Sequence, residues 1–356
     1  MKKLIAMLLV LCVLGTMVAC SKDAGTAADG SGDAEPLRVG LMPSAVGAPV
    51  QYAMENGYFD DAGVAVEMVI FPDGGAINEA IAAGELDIAC SGAATVFALA
   101  NGENVLIGDV EMSGGMGIWV QPDSDILSVK GEVEEYPEMY GSADTLKGKT
   151  FITNLGTASQ FNILRYLQQF GLTDADVTLI NMDWAPGVQA FSAGEADAIA
   201  TFAPYSFQAE EAGGVQCCTF EDATETALYD MVFTSKKVLN DRRDDVVAFT
   251  SAFYRATEEL AADDALRAEF SKEWFASEGR EYDDETMAQE IKDRPYVTKE
   301  LMSSDGYILG EAMYDYAAFN VSIGKIEEDQ MENMKTCYDA SIVSEALGIE
   351  VKQPTF

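Results

Sequence analysis

Short apolar runs alternate along this chain with stretches in which apolar residues recur every three or four positions, and Gly, Pro or Asp punctuates the joins. The first pattern predicts buried strands and the second amphipathic helices. Residues 37–42, 64–70 and 86–90 read as strands. Residues 50–56 and 77–83 read as helices stopped by Gly57 and Gly84, and a third helix opens at Ser91 and stops near Gly102. Residues 43–49 read as a loop and 72–75 as a turn. Around 105–120 the pattern becomes extended and Gly-rich. The scheme then resumes, with strands at 150–153, 177–181 and 196–201, helices at 158–170 and 188–193, and a return strand at 229–234. From about residue 241 the periodicity is helical. Strand and helix in alternation predict an α/β protein with mainly parallel sheet.

The pattern also repeats. Ala80, Ala83, Gly84, Glu85 and Asp87 recur, 110 positions on, as Ala190, Ala193, Gly194, Glu195 and Asp197. At the same offset Asp73 falls on Asp183, and residues 38–42 fall on 148–152. Two βαβ units share this grammar in any case, but a register kept over so long a stretch predicts two similar lobes with a cleft between them. Gly114, Gly115 and Gly117 mark the crossing. They serve either as hinge torsions or as points of close backbone packing.

The N-terminus carries a different signal. Lys2 and Lys3 precede an uncharged apolar run too short to span a bilayer, which fits a signal peptide. Val18-Ala19-Cys20 follows and resembles a bacterial lipobox, with Met17 where Leu is usual. The expectation is cleavage before Cys20 and lipidation of that residue. The next residues are small and polar and cannot bury a core, so they read as a tether with a reach of roughly 20 Å. The expected organisation is a signal peptide at 1–19, lipidated Cys and tether at 20–36, a first lobe at 37–117 and a second at 118–226. Residues 227–356 then return to the first lobe and add helices.

Composition removes several classes. The net charge of −38 repels phosphate backbones, so nucleic acid is not an expected partner. The chain has no histidine, which excludes Ser-His-Asp and Cys-His nucleophilic sites and His-ligated zinc. No metal site or cofactor is expected. No phosphate-binding Gly-x-x-x-x-Gly-Lys-Ser/Thr loop is present, so the chain should not hydrolyse ATP. Cys217 and Cys218 are adjacent. They are either a strained vicinal disulfide or, with Cys90 and Cys337, small buried residues or members of other pairs.

Taken in order, several motifs carry a resemblance. They are Leu37-Arg-Val-Gly40, Glu55-Asn-Gly-Tyr-Phe59, Glu79-Ala-Ile-Ala-Ala-Gly-Glu-Leu-Asp-Ile-Ala89, Leu146-Lys-Gly-Lys149, Asn154-Leu-Gly-Thr157 and Ala193-Gly-Glu-Ala-Asp-Ala198. Together they resemble the solute-binding lipoproteins of ABC importers for nitrate, sulfonate and taurine, a superfamily that includes binders of thiamine-pyrimidine precursors. The resemblance covers about residues 37–256. It implies a type II periplasmic-binding fold, with two lobes joined by two crossovers and a solute trapped between them. It further implies a monomer without enzymatic activity, held on the bacterial membrane by its N-terminal lipid. Its partners would be a small organic solute, sulfonate/taurine-like or pyrimidine-like, and a membrane permease with its ATPase. A surface receptor or sensor of the same fold is the rival reading. A branch that builds a pyrimidine from its own histidine is excluded here, and a hydrolase using Asp73 and Asp183 has no motif behind it.

In open α/β sheets ligands sit beyond the strand C-termini. The candidate binding residues are therefore Pro43, Ser44, Phe71, Asp73, Gly74, Ser91, Gly92, Ala93 and Thr95 in the first half, and Asn154, Gly156, Thr157, Ser159, Asp183, Trp184 and Tyr205 in the second. Helix starts at Gly92 and Gly156 offer N–H groups to an oxyanion. Thr157 and Ser159 are otherwise ordinary caps. Phe71, Trp184 and Tyr205 wall a flat ligand or belong to the core. Asp73 and Asp183 face each other across the cleft and bind an amine, or cap turns. No arginine lies on these loops, so an anion would rest on backbone amides and hydroxyls.

Overall fold

Each apolar run in the sequence lands in one of two five-stranded sheets of a computed structural model that describes residues 35–203 and 205–356. The stretches read as signal peptide and tether, with Cys20, lie outside the described residues as far as residue 34. The strands are β1 (Leu37–Leu41), β2 (Val66–Ile70), β3 (Ile88–Ser91), β4 (Asn104–Met112), β5 (Gly117–Val120), β6 (Thr150–Thr153), β7 (Thr178–Asn181), β8 (Ala198–Thr201), β9 (Val215–Thr219) and β10 (Tyr229–Ser235). The first sheet has the order β2-β1-β3-β10-β4 and the second β7-β6-β8-β5-β9. In each, one strand runs against the other four: β10 in the first and β5 in the second. Both are the first strand after the chain changes sheet, from β4 to β5 and from β9 to β10. The sheets are thus mainly parallel, with one reversed strand at each crossover.

The internal repeat has a physical cause. Asp87 accepts from the Arg38 N–H at 2.9 Å and pairs with its guanidinium, fastening the approach to β3 onto β1. Asp197 accepts from the Thr150 N–H at 2.8 Å and from its hydroxyl, fastening β8 onto β6 in the same way. Gly84 and Gly194 both end their helices at positive φ, +73° and +76°, a conformation that a side chain disfavours. The ungapped offset nevertheless slips at the first strand. Val39 pairs with Ile88, whereas Ala198 pairs with Phe151, two positions beyond where the offset puts it.

Helix boundaries differ from the periodicity reading at their starts. Helix α1 (Ala48–Glu55) begins inside the stretch read as a loop, because Pro49 is tolerated in a first turn. Helix α2 (Gly74–Ala82) absorbs the second half of the stretch read as a turn, because the Asp73 carboxylate accepts from the Ala76 N–H at 2.9 Å and caps it. Helices α3 (Thr95–Ala100), α4 (Ala158–Gln169) and α5 (Trp184–Ser192) follow their strands, and α5 also starts earlier than its apolar period shows.

The C-terminal region is helical and wraps the first sheet. Helix α6 (Arg243–Ala262) buries Phe249, Phe253 and Leu260 in the main core. After α7 (Asp284–Asp293) the chain runs beside β4, with the Met112 N–H donating to the Pro295 carbonyl and the Val297 N–H to that of Val110. The buried Asp109 carboxylate accepts from the Tyr307 hydroxyl and the Gly310 N–H, tying down the next turn. Helix α8 (Met313–Ser322) then reaches the other half. Tyr316 and Phe319 pack on Phe161 of α4 with ring centroids 5.6 and 5.1 Å apart. Cys90, Cys217, Cys218 and Cys337 are all buried free thiols, so the adjacent pair forms no disulfide. Burial pushes the Cys217 thiol up to about 12, away from reactivity.

Candidate functional site

Strand ends from both sheets converge on a cavity of about 380 Å³. From the first sheet, β3 ends at Ser91 and the chain turns through Gly92, Ala93 and Ala94 into α3, presenting Phe97 on its first turn. From the second, β6 leads through Gly156 and Thr157 into α4, and Trp184 opens α5. Trp184 stands edge-on to Phe202 at 4.9 Å, forming one aromatic wall. Tyr316 of α8 closes another side, and Met42 and Met116 complete the apolar lining.

Eight of the sequence candidates line this cavity: Gly74, Ser91, Gly92, Ala93, Gly156, Thr157, Ser159 and Trp184. Gly114, read as a hinge glycine, lines it too. The other eight lie elsewhere. The Pro43 carbonyl accepts from the Arg280 guanidinium, and the Ser44 carbonyl receives the N–H groups of Gly47 and Ala48. Phe71 packs on the main core, and Thr95 is fully buried. Asp73 is an exposed cap. Asp183 is an exposed partner of the Asn154 amide at 3.4 Å, so the two aspartates do not meet across the cavity. Tyr205 touches Phe202 from outside the lining.

The α4 N-terminus leaves donors free. Thr157 occupies the cap position, but its hydroxyl donates to the Asn154 carbonyl, and no side chain caps the helix. The first-turn N–H groups of this 12-residue helix therefore point toward the cavity mouth with the positive end of its dipole. Lys325 reaches over from beyond α8 to donate to the Gly156 carbonyl at 3.0 Å.

The polar end was not legible from the loops. Arg294, just past α7, and Asp230, on β10, both line the cavity. No arginine stands on the strand-end loops themselves, but one reaches the cavity from the C-terminal region. Arg294 Nη2 donates to Asp230 Oδ2 at 2.5 Å and to Glu111 Oε1 at 2.7 Å. Arg267 lies 3.7 Å from the other Glu111 oxygen. Burial pushes the Glu111 carboxyl up to about 8, against the pull of the two guanidinium groups. Burial alone would lower Arg294, but Glu111 and Asp230 outweigh it and hold its proton more tightly than usual. Glu111 is the penultimate residue of β4, just before one crossover, and Asp230 is the second residue of β10, just after the other. Arg294 therefore staples the roots of both connections beneath the cavity.

The crossover glycines meet different local demands. A Cβ on Gly114 would lie 1.8 Å from the Asp293 carbonyl oxygen, and one on Gly117 2.5 Å from the Gln216 amide, which is close packing. Gly115 sits at φ +70°, where a glycine torsion is required. Among the described residues no cluster of three or more metal-ligating side chains occurs, and no helix is long and apolar enough to cross a membrane.

Residues 30–274 match the model of the NMT1-like family. A candidate ABC transporter periplasmic binding protein of Brachyspira hyodysenteriae is 33% identical over 347 residues, covering 97% of each chain. A candidate aliphatic sulfonates-binding protein of Bacillus subtilis is 30% identical over 247 residues, 65% of this chain and 69% of that one. Among solved structures, the periplasmic aliphatic sulphonate binding protein SsuA of Escherichia coli superposes with a TM-score of 0.66 at 19% identity. It covers 83% of this chain and 95% of its own.

Proposed function

The chain belongs to the NMT1-like family, and from that premise we propose that it is the extracytoplasmic solute-binding component of an ABC importer. It captures a small organic molecule between its two sheets and delivers it to a membrane permease whose ATPase supplies the energy. The observation that carries this reading is the cavity itself. Both sheets contribute strand-end loops to it, aromatic walls flank it, and charge is confined to one end. That is the form of a small-molecule site, and the names of the relatives, an ABC transporter periplasmic binding protein and an aliphatic sulfonates-binding protein, support the transport reading.

Trp184, half-buried on the cavity wall, is the contact best placed to hold a flat or apolar solute. Trp184→Ala is expected to weaken solute binding by at least about 1 kcal/mol, the worth of a lost aromatic contact. Calorimetry with whichever sulfonate, amine or heteroaromatic solute binds the native protein gives this number, and unchanged affinity would remove the wall from the site.

The lipobox-like Val18-Ala19-Cys20 supports lipidation of Cys20 and tethering to the outer face of the cytoplasmic membrane or the cell surface. Cys20→Ser is expected to move the protein from the membrane to the soluble fraction of the host. Continued membrane association would contradict the anchor.

A further inference from the structure

Asp230 is the only acidic side chain among the described residues that line the cavity, and it is 5% exposed. Arg294 occupies Oδ2, while Oδ1 has no hydrogen-bond partner among the described residues. This oxygen lies beside Gly92, where an added Cβ would come within 3.0 Å of it, so the glycine leaves it open to the cavity. Ser91, on the same rim, is fully buried, and its hydroxyl is also unpartnered. Unlike the buried Ser91 hydroxyl, Asp230 Oδ1 keeps access to the cavity, so a donor group on a ligand can reach it. The guanidinium that would otherwise recognise an anion is already shared between two carboxylates.

Resting on the receptor reading above, we infer that the solute carries a nitrogen donor, a primary ammonium or amidinium, that seats on Asp230 Oδ1. Its flat or apolar body lies between Phe97 and the Trp184–Phe202 wall. Asp230 is then the residue that sets specificity, and Gly92 is required small so that the carboxylate stays reachable. The acidic surface of the chain works in the same direction, since it raises the local concentration of cations.

Three probes of one ring size separate the possibilities: benzylammonium, benzyl alcohol and benzenesulfonate, each at about 10 mM, read by the shift in unfolding midpoint of residues 35–356. These residues form one compact unit. Benzylammonium is expected to stabilise most. Asp230→Asn and, independently, Gly92→Ala are expected to cut its affinity at least about ten-fold, the loss of one charge-assisted hydrogen bond. Gly92→Ala leaves the charge network intact, so a folding defect in Asp230→Asn does not decide the matter. Equal or greater stabilisation by the alcohol or the sulfonate overturns the inference, as does retained benzylammonium binding in both variants. A response to the sulfonate alone overturns it while leaving the solute receptor standing. Silence from all three probes also overturns it, and the receptor is then judged on the wider solute panel.

Discussion

Replacing Arg294 with methionine is expected to destabilise residues 35–356 by about 3–5 kcal/mol, the cost of leaving the Asp230 carboxylate without its charged partner and Glu111 without its donor. Methionine fills part of the same space but offers no donor to Glu111 Oε1 or Asp230 Oδ2, 2.7 and 2.5 Å from the guanidinium. Glu111 is fully buried, so water cannot take over. The sign of the pH dependence follows from its raised pKa. The native state holds the Glu111 proton up to about pH 8, whereas the unfolded chain releases it in the ordinary carboxylate range. Between those values the native state binds more protons, so this group's contribution to stability falls as pH rises. Without Arg294 the pKa climbs further and the deficit widens toward alkaline pH. Urea denaturation at pH 6 and pH 8 measures both effects, and Arg294→Met with Glu111→Gln should recover only part of the loss, because Asp230 stays without its partner. A deficit below about 1 kcal/mol, flat with pH, would mean that the staple is not a structural element.

Gly114→Ala is the second substitution with a large expected effect. The new methyl group would occupy the position of the Asp293 carbonyl oxygen, 1.8 Å away, and a backbone atom cannot swing aside as a side chain can. The end of α7 must therefore move off the crossover, at about 1–3 kcal/mol for an overpacked site. Arg294 is the next residue and moves with it, so solute affinity should fall along with stability. Gly57→Ala is the useful comparison, because that site has open space and only its φ of +71° to strain it. Unfolding midpoints for both variants, with calorimetry on Gly114→Ala, test this. Unaltered stability and affinity in Gly114→Ala would show that the crossover and α7 separate freely.

The fold was legible because its signals are local. Strand runs and helix periods fix which residues face a sheet, and Gly84 and Gly194 close equivalent helices in the two halves. The repeated aspartates could be seen in sequence, but their task could not. Asp87 and Asp197 each bind a strand far away in the chain. Helix starts were read late where a cap lay inside an apparent turn, as at Asp73, or where proline entered the first turn, as at Pro49.

The candidate site was legible on the strand-end loops and silent elsewhere. Ser91, Gly92, Gly156, Thr157 and Trp184 follow strands, and the topology brings them together. Met42, Phe97 and Met116 carry no mark that separates a cavity wall from a core. Arg294 and Tyr316 arrive from the C-terminal region, beyond the motifs that carried the resemblance, and only the wrapping of that region over the crossovers places them. Asp230 left one trace, a lone charge in the apolar run Leu228-Tyr-Asp-Met-Val-Phe233, which marks a strand position facing something other than core.

The most direct test of the solute-receptor account is a thermal-shift screen of residues 35–356 against alkanesulfonates, taurine, nitrate, aminopyrimidines, aromatic amines and a small-molecule extract of the host. A solute at about 100 times its dissociation constant should stabilise the protein by roughly 2.7 kcal/mol, a readable rise in midpoint. The account predicts such a rise with at least one of these, abolished by competition for a single site. A flat response to every compound and to the extract, from protein stripped of bound ligand by unfolding and refolding, would contradict it.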